Sequence, residues 1–457
     1  MRRRNGPADT QPTAYETSYG ERQWTKDPIM TKFLIFFLFL LASSATAYYN
    51  YKDSNFNLSP ADDQFLDELE RASFLFFWEQ ASASTGQIKD RAFAHGQNDT
   101  RAVSSIASTG YGLSALTIAH KRQYLNRSDI ETRVRNTLRF IWNDLPHVHG
   151  FFYHFVDMES GERQWNCELS SIDTAILING VLHAGEYFKD DQEIRNLSSR
   201  IYERVEYSWF LQNETTLSMG WSPEAGFPQD RWNRYCELLM LVLQAIGSPT
   251  HPIPASSWDA FSREKMAYNN LIYISTAAPL FIHQFSHAWY DFRDRRDNYT
   301  DYYQNSVVAT IVHKIWCQSL KDIFPTYGEN FWGLTASDTP YGYEAWGGPP
   351  LMGDVDGSIV PCAAAGSLPF LPNDTLAVLH NVRDNYPLAW QRYGFVDAFN
   401  PLINWYNPDV IGIDLGITIL MAENLRTGFV WETFMTTEHA ERAMEAVGLI
   451  KQNLSHK

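Results

Sequence analysis

The chain has 457 residues, 44% of them hydrophobic and 20% charged, and a formal net charge of −16. That composition is globular and supplies a large core. The acidic balance, with no Lys/Arg run or basic stripe, argues against nucleic acid or an anionic membrane surface as a partner.

Residues 1–29 are polar and rich in charge, which predicts disorder or an untranslated leader. MTKFLIFFLFLLASSATAYYN begins at Met30, with a positive start at Lys32, an apolar run Phe33–Leu41 and small residues ending at Ala47. This anatomy predicts a signal peptide over 30–47, and its apolar run is short for a membrane span. The preceding residues leave two readings, translation from Met30 or retention as a signal anchor, and secretion is the expected outcome. Sequons at Asn57, Asn98, Asn126, Asn196, Asn213, Asn298, Asn373 and Asn453 agree with it. The mature domain is expected over 48–457.

From residue 60, helix follows helix. In 61–80, Phe65, Leu66, Leu69, Phe74 and Trp78 fall near helical spacing. Residues 104–122 carry many small side chains and can pack on both sides. Ser128 and Glu131 have capping-box spacing and would open the helix 128–145. A hairpin is expected over 150–165. Helices follow at 170–188, 190–210, 238–246, 276–292, 299–320, 361–370, 374–386, 414–426 and 437–452. The total is about twelve, with strands confined to short hairpins. Helices rich in small and apolar residues alternate with amphipathic ones, as in a double ring, although the alternation loses phase after residue 330. The fold class is therefore all-α. Long loops at 90–103, 221–233, 327–360 and 393–413 are dense in Gly, Pro, Trp and acid, and such loops are usually functional.

Acids on or beside these loops include Asp90, Glu168, Asp173, Glu224, Asp230, Glu237, Glu344, Asp354, Asp356, Asp397, Asp409 and Asp414. Glycoside hydrolysis uses two carboxyl groups, one protonated and one ionised. Glu237 stands at the mouth of an apolar helix, Leu238–Ile246, where desolvation raises a carboxyl pKa. Asp414 heads a second apolar helix between Gly412 and Gly416, glycines that would let backbone approach a ligand. Each acid also has a plain reading, as a helix N-terminal charge favoured by the dipole. His283 and His287 would share a helical face, a metal-like spacing, but no third ligand is evident, and packing or a hydrogen bond to a sugar is the better reading. Cys167, Cys236, Cys317 and Cys362 show no CxxC and leave disulfides and buried free thiols both open.

Taken together, SSIASTGYGLSAL, HFVDMESGER, ELSSIDTAILINGVL, YCELLMLVLQAIGSPTHP, FIHQFSHAWYDFRD, YGYEAWG, DGSIVPCAAAGSLPF, YGFVDAFNP and IGIDLGITILMAENLRTGFVWE resemble, in order, the glucoamylase-like family that includes the endo-β-1,2-glucanases of glycoside hydrolase families 144 and 162. The secretion signal and sequons make the eukaryotic branch, family 162, look nearer. The resemblance implies a single (α/α)6 barrel with its cleft at one end. It implies inverting, endo-acting hydrolysis of linear β-1,2-glucan to sophorooligosaccharides, with no metal or organic cofactor. Glu237 falls where such enzymes place the general acid. Asp414 falls where they place the base, which acts on water through a substrate hydroxyl. Arg91, Asp173, His287, Arg293, Glu344, Trp346, Asp356 and Tyr393 are the candidate sugar ligands. Transglycosylation of the same glucan and non-catalytic glycan binding are the competing readings.

Overall fold

Side chains of Ser59, Ser105, Asn126, Ser170, Asp191 and Asp301 cap the first turns of six helices. The computed structural model describes residues 56–452 apart from 97, 277–278, 347 and 349–354, so the signal-peptide segment, Asp354 and Asn453 lie outside the described residues. Residues 54–457 form one compact unit. Thirteen α-helices occur among the described residues: α1 (Pro60–Glu79), α2 (Ile106–Arg122), α3 (Arg127–Asn143), α4 (Ser171–Tyr187), α5 (Gln192–Glu203), α6 (Tyr207–Leu211), α7 (Leu238–Ile246), α8 (Tyr302–Ser319), α9 (Pro361–Ala365), α10 (Pro372–Asn385), α11 (Gly412–Arg426), α12 (Phe429–Phe434) and α13 (Glu438–Ala446). No helix among the described residues is long and apolar enough to cross a membrane.

Two kinds of helix are present. α2, α4, α7 and α11 are buried on nearly every side, as helices apolar all round must be. α3 and α5 bury a single stripe and leave a charged face in solvent. The buried helices pack in a closed sequence. α2 lies against α4, α4 against α7, α7 against the 3-10 turn Phe285–Ala288, that turn against α11, and α11 against α2. α1 backs α2 and α11, α5 backs α4, and α13 backs α7.

Glycine sets the tightest contact. A Cβ at Gly180 of α4 would lie 1.9 Å from the Gly110 carbonyl oxygen of α2, so these helices meet backbone to backbone. On α11, a Cβ at Gly416 would lie 2.2 Å from Tyr111 Cγ, and one at Gly412 would lie 2.1 Å from Ser108 Oγ. The glycines flanking Asp414 therefore serve helix packing, not the ligand approach expected of them.

Short antiparallel ladders pin the N-terminal ends of the buried helices. Val103–Ser105 pairs with Phe155–Asp157 just before α2, and Leu169–Ser170 pairs with Gly220–Trp221 just before α4. Arg91–Phe93 pairs with Asp409–Ile411 just before α11. At the other end, buried charges tie the helices together: Arg426 Nη1 of α11 lies 2.7 Å from Glu70 Oε2 of α1, and Arg122 Nε of α2 donates to Glu423 Oε2 of α11 at 2.8 Å.

Four expectations need correction. The described residues of 276–292 form no α-helix: Leu280–His283 and Phe285–Ala288 are separate 3-10 turns. Residues 190–210 divide into α5 and α6. The helix α12 follows Gly428, whose φ of 72° ends α11's run, and was not anticipated. Finally, Ser128 does not cap α3. The Asn126 side chain accepts from Ser128 N–H, which starts the helix earlier and leaves the serine inside it.

Candidate active site

The ladders deliver a set of acids to one end of the buried helices. Glu237 occupies the N-cap position of α7, and its side chain caps nothing. Its backbone is held by Ser286, whose hydroxyl donates to Glu237 O at 2.7 Å and accepts from Met240 N–H at 3.0 Å. The side chain is thus fixed in place yet free for chemistry. Burial pushes the Glu237 carboxyl up to about 7, against hydrogen bonds from its own backbone N–H and the Cys236 thiol, and the Asp173 charge adds to the rise.

Asp173 lies in the first turn of α4. It accepts from Ser170 Oγ at 2.5 Å and lies 3.5 Å from His154 Nε2. His154 Nδ1 is 3.1 Å from Glu168 Oε1. Burial opposes charge on this imidazole, but Asp173 and Glu168 outweigh it and hold its pKa up to about 9, so His154 is a cation at neutral pH.

Asp414 sits in the first turn of α11 and is 7% exposed. Burial raises it to about 6. Hydrogen bonds from Asp397 and the Cys362 thiol act the other way, as does the nearby Arg91 charge, while Asp338 adds to the rise. Arg91 donates to Asp338 Oδ2 at 2.8 Å and to Asp90 Oδ2 at 2.9 Å. Asn407 Nδ2 bridges Asp338 at 3.0 Å and Asp397 at 2.8 Å.

Tyr111 of α2 connects the two halves. Its hydroxyl is fully buried with no hydrogen-bond partner in the protein, and its ring packs 4.9 Å from Trp289. Burial and the charges of Asp414, Cys362, Asp173 and Glu237 all bear on this one phenol. The charges of Glu237, at the head of α7, and Asp414, on α11, thus both reach this phenol. Between about pH 6 and pH 7 the first holds a proton and the second has lost one, the division of labour that general acid–base catalysis needs.

The other candidates divide. Arg91 and Asp173 belong to the site. Glu344 is exposed on the hairpin that carries Asp338, opposite Ser337, and Trp346 is buried at its base with Nε1 donating to Ser337 Oγ at 3.1 Å. Asp356 caps a local turn by accepting from Ser358 N–H at 2.8 Å. Three candidates are not brought to the acids. His287 is a core histidine, 1% exposed, at 3.0 Å from Ser306 Oγ, and burial holds it neutral. Arg293 chelates Asp291 and stacks 4.1 Å from Trp431, beside the C-terminal end of α11. Tyr393 is fully buried, taking a bond from Gln80 Nε2 at 2.7 Å and giving one to Glu79 at 3.0 Å. Arg293 and Tyr393 spend polar groups on neighbours within the fold, while His287 pairs through Nε2 and leaves Nδ1 buried without a partner. Sequence reading missed His154 and Tyr111 as site residues, although both lie in the stretches HFVDMESGER and SSIASTGYGLSAL. All four cysteines are free thiols, and two of them, Cys236 and Cys362, bond the two principal carboxyls. Among the described residues no group of three or more His, Cys, Asp or Glu side chains is arranged to hold a metal ion.

The chain is similar to known proteins over most of its length. The glycoamylase family model, described as "Putative glucoamylase", matches residues 229–438, the stretch that holds Glu237 and Asp414. An exo β-1,2-glucooligosaccharide sophorohydrolase of Parabacteroides distasonis is 26% identical over 85% of this chain, which spans only 58% of that relative's length. The endo-β-1,2-glucanase of Chitinophaga pinensis, solved with sophorotriose and glucose, is 25% identical with a TM-score of 0.78, covering 85% of this chain and 98% of that one. The endo-β-1,2-glucanase of Talaromyces funiculosus shares the fold at 11% identity and a TM-score of 0.61, over 84% of this chain and 90% of that one. The fungal structure is thus less similar than the bacterial one, the reverse of the order the secretion signals suggested.

Proposed function

We propose that the chain, which is similar to the glucoamylase family model and to a bacterial endo-β-1,2-glucanase, is a secreted, inverting, endo-acting glycoside hydrolase of linear β-1,2-glucan, folded as a single (α/α)6 barrel. The observation that carries the reading is the pair of carboxyls on α7 and α11, poised in opposite protonation states about Tyr111. Glu237 protonates the departing glycosidic oxygen. Asp414 draws a proton from water through a hydroxyl of the substrate. Arg91 and Asp173 bind sugar hydroxyls beside them. Secretion is supported by the Met30–Ala47 segment and by the sequons: all seven asparagines among the described residues are exposed.

A second reading, exo-acting release of sophorose, is favoured by the likeness to the Parabacteroides enzyme. Endo action is preferred because the Chitinophaga endo-enzyme is matched over 98% of its length, against 58% for the exo-enzyme. Incubation of the purified protein with linear β-1,2-glucan tests both. Mixed sophorooligosaccharides of α-anomeric configuration, with an early fall in chain length, are expected. Sophorose alone from the first minutes would establish the exo reading. Larger or cyclic products would indicate transglycosylation, and binding without turnover would refute the enzyme.

A further inference from the structure

We propose that Asp397 carries the spare proton of a buried carboxyl pair and donates it to Asp414, so that Asp397 is the positioning residue of the base. This rests on Asp414 being that base. Asp397 is 3% exposed and Asp414 7% exposed. Two N–H donors already satisfy Asp397 Oδ2: the Asp338 backbone and Asn407 Nδ2, each at 2.8 Å. Oδ1 is buried and receives no donor from any neutral group of the protein. It is left for the Asp414 carboxyl, with which Asp397 makes a side-chain contact of hydrogen-bond type. Two carboxylates in such contact repel unless a proton lies between them, and like charges this close do not both ionise.

The surroundings decide which partner keeps the proton. Asp397 is flanked on both sides by acids, Asp414 and Asp338, and its own donors are consistent with a neutral acid whose carbonyl oxygen accepts two N–H bonds. Asp414 has the Cys362 thiol as a second donor and feels the Arg91 charge. Tyr111 faces the pair from α2 and stays neutral through burial. Burial, reinforced by Asp414 and Asp338, pushes Asp397 well above the usual carboxylate range. The enclosed space that borders both carboxyls, walled by Leu69, Phe395, Val410 and Leu415, is about 10 Å³, roughly one water probe. Bulk solvent therefore does not screen the pair. A protonated Asp397 fixes one Asp414 oxygen and leaves the other directed to substrate.

The test compares Asp397→Asn, Asp397→Ala and Asp414→Asn in the full chain. An asparagine amide replaces the O–H donor and retains the carbonyl acceptor, so Asp397→Asn should keep kcat within about tenfold of wild type. Asp397→Ala removes the donor to a charged group and should lower kcat by about 10- to 150-fold with KM changed less than about threefold. In the infrared difference between wild type and Asp397→Asn at pH 7, the C=O stretch of a protonated carboxyl should be lost. If no such band disappears, or if Asp397→Asn is as impaired as Asp397→Ala, the proposal is wrong. The infrared result decides the matter even if the alanine variant does not fold. Full activity of Asp414→Asn would instead overturn the proposed function, so the two failures are separable.

Discussion

The pH profile of kcat/KM offers the most direct examination of the catalytic pair. On the proposed roles, activity requires Asp414 ionised, which is gained as pH rises through about 6, and Glu237 protonated, which is lost as pH rises through about 7. With those two values the competent fraction peaks near pH 6.5 at about 60% and falls to about 3% at pH 4.5 and pH 8.5, a roughly twentyfold drop on each side. The limbs can be moved separately and in opposite directions. Cys236→Ala removes a hydrogen bond that favours the ionised Glu237, so the alkaline limb should move to higher pH. Asp173→Asn removes a negative charge that favours the protonated form, so the same limb should move to lower pH. The measurement is initial-rate hydrolysis of β-1,2-glucan at low substrate concentration across pH 4–9, with thermal melting to confirm folding. A flat profile over that range, or two variants that shift the limb the same way, would refute the reasoning.

Glu237→Gln should lower kcat by about 10²–10⁴-fold, while the exposed Glu224, paired with Arg163, tolerates Gln with little loss. The same Glu237→Gln should raise Tm at pH 8 but not at pH 4.5. A carboxyl held near 7 contributes stability below its unfolded value of 4.5 and loses it as pH rises through 7, a penalty of at most about 3 kcal/mol that the amide avoids. Gly416→Ala places a methyl 2.2 Å from Tyr111 Cγ; an overpacking cost of about 1–3 kcal/mol should exceed the helix-propensity gain of about 1 kcal/mol, lowering Tm and kcat together. His287→Ala should lower Tm, by the cost of a core cavity, and leave KM for glucan unchanged, which separates a core histidine from a sugar ligand.

Much of this architecture is legible in the sequence because burial writes itself into composition. α2, α4, α7 and α11 are runs of small and apolar residues: α2 reads as a helix able to pack on both sides, α7 and α11 as apolar helices with a carboxyl at the mouth, and α4 as a helix. The 276–292 segment reads as a helix too, since its apolar spacing is helical, but its backbone turns twice in 3-10 form. For single apolar segments of this length, periodicity does not separate the two. Glu237 and Asp414 stood out by position, but their partners came from distant loops. Asp338 and Asp397 are 59 residues apart in the chain and meet through one backbone N–H, and His154 reaches Asp173 across the ladders. Nothing in local spacing reports such contacts. Conversely, His287, Arg293 and Tyr393 have the residue types of sugar ligands, yet they are held in the fold by Ser306, Asp291, Gln80 and Glu79.

Tyr111 wedged against Gly416 has a bearing on how such a protein diversifies. The carboxyls stand on α11 and at the head of α7, which lie far apart in the chain, and both charges reach a phenol packed against α11. Acid-to-base distance is therefore a property of the scaffold and not of the surface segments that frame the opening. The outer part of the 336–345 hairpin, beyond Asp338, is free to lengthen, shorten or change sequence, altering whether a glucan strand passes through or stops at its end, while the chemistry at the centre keeps its dimensions. A lineage can switch between trimming chain ends and cutting chain middles by remodelling its rim. A single methyl at Gly416, by contrast, would disturb every substrate alike.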